Sequence, residues 1–133
     1  MNRIRISSGS PYEKPIGFSR AVRVGDFISV SGTGPIAPDG STVGVGDAYA
    51  QAKRCLEIIK KAIEDAGGRL EHTTRTRMLL TDISRWEEVS RAHGEFFGDI
   101  RPASTLVAVS ALVRPEWLVE IEADCVIDDK KGP

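Results

Sequence analysis

Apolar positions recur in this chain with two different periods, and each period predicts an element. Ala52, Cys55, Leu56, Ile59, Ile63 and Ala66 advance by three and four residues, which makes one stripe along a helix. Asp47 stands where an N-cap belongs, and Gly67-Gly68 where such a helix stops. Toward the C-terminus the period falls to two. Trp117, Val119, Ile121, Ala123 and Cys125 take one face of a strand, and Leu118, Glu120, Glu122, Asp124 and Val126 take the other. GFSRAVRVGDFISVSG (17–32) carries two β-prone runs around Gly25-Asp26, a hairpin signal, and the following TGPIAPDGSTVGVGD has the composition of turns plus a short, poorly paired strand. HTTRTRMLLTDI predicts a strand with Thr74, Thr76 and Met78 on one side and Arg75 and Arg77 on the other. Ser84 and Glu87 spell a capping box for a helix over 85–97, with Trp86, Val89, His93, Phe96 and Phe97 facing inward. STLVAVSALV is apolar or small at nearly every position and predicts a central strand covered on both faces. The first fifteen residues, polar with Pro11 and Pro15, read as an irregular lead-in.

The resulting order, ββ-α-β-α-ββ, predicts an α+β sheet with two helices on one face. Two helices cover one side only. On the other side Glu120, Glu122 and Asp124 cannot all be buried unpaired, yet the apolar strand expected beside them favours a dry environment. Self-association would resolve the conflict, so an oligomer is expected.

Composition narrows the function classes. A chain of 133 residues with 41% hydrophobic and 28% charged residues suits a single domain spanning 1–133 with a real core. A net charge of -1 argues against the broad basic face of a nucleic-acid binder, although Arg3, Arg5, Arg20, Arg23, Arg75 and Arg77 are candidates for a local groove. No apolar run is long enough to span a bilayer, and the opening MNRIRISSGSPYEKP lacks the apolar core of a secretory signal, so a cytoplasmic location is expected. Cys55 and Cys125 have no CxxC spacing and are expected to be buried, inert thiols. His72 and His93 share no motif with other ligand types, so no metal site is expected. The glycines match neither a phosphate loop nor a dinucleotide fingerprint.

RPASTLVAV (101–109), LVEIEADCVI, GDFISVSGTGPI, AYAQAKRCLEIIKKAIEDAGG and EEVSRAHGEFF together resemble the reactive intermediate deaminase (RidA, YjgF) family, also called the endoribonuclease L-PSP or translation-inhibitor family. The similarity runs from about Gly17 to Ile127. The resemblance implies a chorismate-mutase-like fold with a six-stranded mixed sheet. It also implies a homotrimer around a central β-barrel, with small-molecule clefts between subunits and no cofactor. Deaminases of this family hydrolyse enamines and imines to 2-keto acids and ammonia.

Residue by residue, the resemblance assigns Glu120, which opens Glu-Ile-Glu-Ala, to holding or activating the attacking water. Phe18 takes the place of a cleft tyrosine, without its hydroxyl, and Ser31 and Gly32 match the end of the second strand. The family's deaminases carry a carboxylate-gripping arginine directly after Pro-Ala, and here that position is Ser104, followed by Thr105. Arg101 is three residues away, so on a strand it would point to the opposite face about 10 Å off, whereas in a loop before Pro102 it could fold back over the cleft. Glu122, two residues along the same strand face as Glu120, is a like charge that would raise the cost of ionising it. Hydrolysis or binding of small imines, enamines or related carbonyl compounds is the leading expectation, with weak or no activity on 2-iminopropanoate and 2-iminobutanoate. A non-catalytic metabolite- or partner-binding trimer is the alternative, and ribonuclease activity the third.

Overall fold

A computed structural model describes residues 2–129 of the chain. The end of the charged tail, Lys130–Pro133, lies outside the described residues. Six strands form one sheet in the order β1-β2-β3-β6-β4-β5. They are β1 (Arg3–Ile6), β2 (Ala21–Val24), β3 (Phe27–Thr33), β4 (Thr73–Leu80), β5 (Ala103–Ala108) and β6 (Val119–Val126). Only the β4–β5 pair is parallel, so the sheet is mixed. Helices α2 (Ala48–Asp65) and α3 (Trp86–Phe97) pack against each other and back the sheet, and a single turn, α1 (Glu13–Ile16), precedes β2.

The core is the meeting of the two periods. Leu56, Ile59 and Ile63 of α2 and Val89 of α3 lie against Ile28, Met78, Leu80, Val119 and Ile121, all buried. Asp47 caps α2 by accepting the Ala50 N–H at 2.9 Å. Gly67, at φ 90°, makes the left-handed exit that ends it. Gly25, at φ 62°, turns the β2–β3 hairpin. Cys55 and Cys125 are buried free thiols, and burial pushes both up from their ordinary range.

Several expectations are corrected. Within the lead-in, Arg3–Ile6 forms an edge strand paired to β2. The glycine-rich segment after β3 makes only an isolated bridge, Ile36 to Thr42, so the sixth strand comes from the N-terminus instead. STLVAV is not central. It runs parallel to β4 at the far edge of the sheet, because the last strand inserts between β3 and β4. Val107 is 42% exposed there, and Leu106 packs on the core. The Ser84 capping box does not form: the Asp82 carboxylate takes both the Ser84 N–H and hydroxyl, and caps a 3-10 turn ahead of α3. Trp86, at that turn, is 50% exposed rather than inward. Thr74 leaves the Thr76–Met78 side because the ladder to β6 shifts between Thr73 and Arg75, and Thr73 is buried in its place. The alternation of β6 holds from Val119 onward, but Leu118 packs against the core.

A second shift matters for the site. Between Val30 and Thr33 the β3 strand advances three residues while β6 advances two, from Ala123 to Ile121. One extra residue is accommodated there, in the stretch Ser31-Gly32, as a β-bulge. Three residues apart on a regular strand, Val30 and Thr33 would face opposite sides; the bulge lets both point into the core, as they do.

Candidate functional site

The alternation of β6 places Glu120, Glu122 and Asp124 on the sheet face away from the helices. Arg77 of β4 lies across from them, with its Nη1 2.9 Å from a Glu122 carboxylate oxygen and 3.7 Å from Asp124. These two acids therefore have a cation within their own chain. Glu120 does not share it. It sits at the bulged end of β3, where a Cβ on Gly32 would collide with its Oε1, so any other residue there would push the carboxylate from this position.

Glu120 opens into a cavity of about 390 Å³ lined also by Tyr12, Phe18, Arg20, Ser31, Gly32, Val113 and Trp117. The bulge re-aims the backbone at this point, a common device beside sites. Ser31 fixes the entry to β2 by donating its hydroxyl to the Ser19 carbonyl at 2.6 Å. Trp117 closes one wall, with its indole N–H on Thr42 Oγ1 at 3.1 Å, and Gly34 lets it in: a Cβ there would lie 2.5 Å from the ring. Arg114 lies over Trp117, 5.3 Å from the ring centre.

Burial pushes the Glu120 carboxyl above its usual range. The Arg20 charge pulls it back, and Glu122 adds a smaller upward push. The expected like-charge effect of Glu122 is thus real but minor, and desolvation dominates. A half-buried carboxyl with a raised pKa, facing a cavity, is suited to take and return a proton.

The candidates from the β5 end stand elsewhere in the chain. Ser104 lies on the helix side of the sheet, opposite Glu120, where its Oγ accepts the Thr76 hydroxyl at 2.8 Å. Thr76 Oγ1 in turn lies 2.8 Å from His93 Nε2. Thr105, paired with Arg77, is on the Glu120 side but two strands away. Arg101 is exposed in the turn after α3, in left-handed backbone at φ 55°, and its N–H donates to the Phe97 carbonyl at 2.9 Å. Phe18, Ser31, Gly32 and Glu120 therefore come together within one chain, and Arg101, Ser104 and Thr105 do not join them.

Sequence reasoning placed Arg20 among possible groove arginines, but it is 6% exposed and belongs to this cavity. Its position two residues after Phe18, hence on the same side of an extended chain, is the signal that could have found it.

One group of metal-ligand types occurs among the described residues, His72 with Asp128 and Asp129. His72 Nδ1 accepts the Arg69 N–H at 2.9 Å, so its Nε2 carries the proton and donates to Asp129 at 2.8 Å. Asp129 also holds both terminal nitrogens of Arg69. Two of the three donors, His72 and Asp129, are thus committed to fastening the stretch after β6 to the turn before β4, which does not fit an open cation site.

A mixed six-stranded sheet backed by two helices, with a desolvated carboxyl facing a cavity at the bulged end of β3, defines an α+β protein with a candidate small-ligand pocket. Comparisons sharpen that class. The sequence profile described as endoribonuclease L-PSP matches residues 12–127. A solved structure of a YjgF/YER057c/UK114 family member from Mycobacterium tuberculosis superposes with a TM-score of 0.85 at 44% identity, covering 95% of this chain and 100% of that one. The 3-aminoacrylate deaminase RutC of Acinetobacter baylyi is 36% identical over 101 residues, 76% of this chain and 79% of that protein. A RutC family protein of Pyrococcus abyssi is 38% identical over 111 residues, 83% of this chain and 87% of that protein. The chain belongs to the endoribonuclease L-PSP family, the RidA/YjgF family of the structural relatives.

Proposed function

We propose that this protein hydrolyses or binds small enamines, imines or related carbonyl compounds, as a cytoplasmic homotrimer that needs no cofactor. The observation that carries this reading is the Glu120 carboxyl, raised in pKa by burial, in a cavity with Phe18, Ser31 and Gly32. The name of the Acinetobacter relative, a deaminase of the enamine 3-aminoacrylate, supports the substrate class. The sheet face that carries Phe27, 66% exposed, and the open β5 edge support assembly with further copies. In such a trimer the neighbouring copy brings its Arg101, Ser104 and Thr105 edge to the cleft, and the sheets enclose the barrel.

The chemistry is simple. Glu120 takes a proton from a water that attacks the imine carbon and passes it to the imine nitrogen, giving a tetrahedral carbinolamine; the adduct's hydroxyl proton then moves through the same carboxylate to the nitrogen as ammonia leaves. A carbon–oxygen bond forms and the carbon–nitrogen bond breaks, so one imine and one water become one carbonyl compound and one ammonia, with no redox change. Imines of this kind also react unaided, so holding the water and the ligand in place supplies much of what is needed.

Ser104, where deaminases of the family carry arginine, removes a charged fork for the substrate carboxylate. Losing a charged fork to a carboxylate costs about 2–5 kcal/mol of binding. Turnover of 2-iminopropanoate and 2-iminobutanoate should therefore be weak. The assay generates these imines with an amino-acid oxidase in the presence of semicarbazide and follows suppression of the semicarbazone by the protein. Suppression as strong as that given by an arginine-bearing relative at equal concentration would overturn the weight placed on Ser104.

A metabolite- or partner-binding trimer without turnover is the second reading, and it is favoured by one observation: Ser104 is already held by Thr76. Ribonuclease activity has less support, since Arg77 is paired with acids and Arg20 and Arg23 are turned into the chain.

A further inference from the structure

Arg20 is a charged side chain buried almost completely, and its hydrogen bonds are divided unevenly. Nη1 donates to the Gly32 carbonyl at 2.6 Å and to Thr33 Oγ1 at 2.9 Å, and Nε reaches Ser8 Oγ at 3.3 Å. Among the described residues, Nη2 has no partner. The guanidinium lies over the Phe18 ring, 5.4 Å from its centre, and walls both the Glu120 cavity and an adjoining one of about 430 Å³.

A buried cation is costly without an anion beside it. Two carboxylates act on Arg20 through space, Glu13 and Glu120, but neither forms an ion pair with it. Glu13 is occupied: one of its oxygens accepts the Ser8 N–H and hydroxyl and the Ser10 N–H. Glu120 lines the same cavity as Arg20, without contact. The cleft thus holds one positive and one negative group that leave a gap between them, with donor hydrogens of Nη2 unspent.

We propose that Arg20 is the anion-recognition residue of this cleft: Nη2 binds one oxygen of a small carboxylate, and the ligand's carbon–nitrogen or carbonyl end reaches Glu120. This rests on the reading of the cavity as the ligand site. Because Nε and Nη1 are committed to the chain, Arg20 offers a single charge-assisted bond and not a fork, which is weaker and less selective in orientation. The ligand class is therefore a compact 2-oxo, 2-imino or 3-amino unsaturated acid, short enough to lie between the two groups and held more weakly than by the fork of the arginine-bearing deaminases. The anchor belongs to the same chain as Glu120 and does not depend on Arg101 or on the residue at position 104.

The test measures binding of pyruvate, and of its neutral methyl ester, to the full chain by calorimetry. Pyruvate should bind about tenfold or more tightly than the ester, the factor expected of one charge-assisted bond. Arg20→Gln should abolish the preference. Arg20→Lys, which keeps the charge near the Gly32 carbonyl but has no second nitrogen to reach the ligand, should weaken pyruvate about tenfold. Circular dichroism and melting identify folded variants, and if Arg20→Gln does not fold, Arg20→Lys decides. Unchanged pyruvate affinity in folded Arg20→Lys, or equal binding of acid and ester by the native chain, overturns this inference and leaves the cleft reading standing. Failure of the native chain to bind either compound overturns both.

Discussion

Replacing Glu120 by glutamine should make the protein more stable at neutral pH and leave it unchanged in acid. Burial raises the folded-state pKa of Glu120, with Arg20 opposing and Glu122 adding a little. The Glu122 share can be bounded. Two residues along a strand is about 7 Å, where two charges at an effective dielectric of about 20 repel by about 2 kcal/mol. Arg77, 2.9 Å from Glu122, offsets much of that, which leaves desolvation as the main cost. Between the unfolded and folded pKa values the native state holds more protons than the unfolded chain, so stability falls as pH rises through that window. Above the window the folded protein carries the whole cost of an ionised carboxylate, and below it none. Glutamine keeps the shape and drops the charge. Single substitutions that relieve such a cost commonly gain about 0.5–2 kcal/mol, which in a chain of this size is about 2–8 °C in melting temperature. Melting curves of both proteins should be compared from about pH 3.5 to about pH 8, which brackets the ordinary carboxyl range and the raised one. The difference should grow through the titration of Glu120 and vanish at the acid end. A Glu120→Gln protein that melts lower than the native chain near neutral pH, by an amount that shrinks in acid, would mean that Glu120 is well paired, and the argument for a poised proton carrier would fail.

Gly32→Ala tests the same carboxylate from the other side. The new Cβ would displace the Glu120 carboxylate by about 1 Å, so any imine turnover should fall about 100-fold. Stability should fall by only about 1–3 kcal/mol, and single-turnover rates beside melting curves would separate the two. Light scattering should return three times the 14.4 kDa chain mass. A single-chain particle at working concentration would remove the neighbouring wall of the cleft.

What could be read from the sequence follows the strength of local patterns. Helix α2 was legible because its stripe, its Asp47 cap and its Gly67 exit agree. The β6 alternation and the Gly25 turn were legible for the same reason. β1 was missed, since four residues reading RIRI on an exposed edge carry almost no periodic signal. β5 was mistaken for a central strand because its apolar residues do ask for cover, but sequence does not say whether cover comes from this chain. Phe18, Ser31, Gly32 and Glu120 could be named from motifs. Arg20 belongs to no motif; its spacing from Phe18 places it on the same side of the chain, but its burial depends on what packs over it, here the Ser8–Ser10 loop and the bulged end of β3. The Asp82 carboxylate defeated the Ser84 capping box by a competition between neighbours that spacing alone does not rank.

The extra residue between Val30 and Thr33 has a consequence for how this pocket can change. Upstream of it, even-numbered side chains of β3 look toward the helices; downstream, an odd-numbered one does. The floor of the pocket is therefore written in chain length as well as in residue type. Deleting one residue there would match β3 to β6 residue for residue, leaving Val30 and Thr33 both inward in a regular ladder but removing the re-aimed backbone beside Glu120, whatever the side chains were. A relative lacking that residue could match all the named groups and still present a differently shaped floor, so transplanting this specificity requires copying the count before copying the letters.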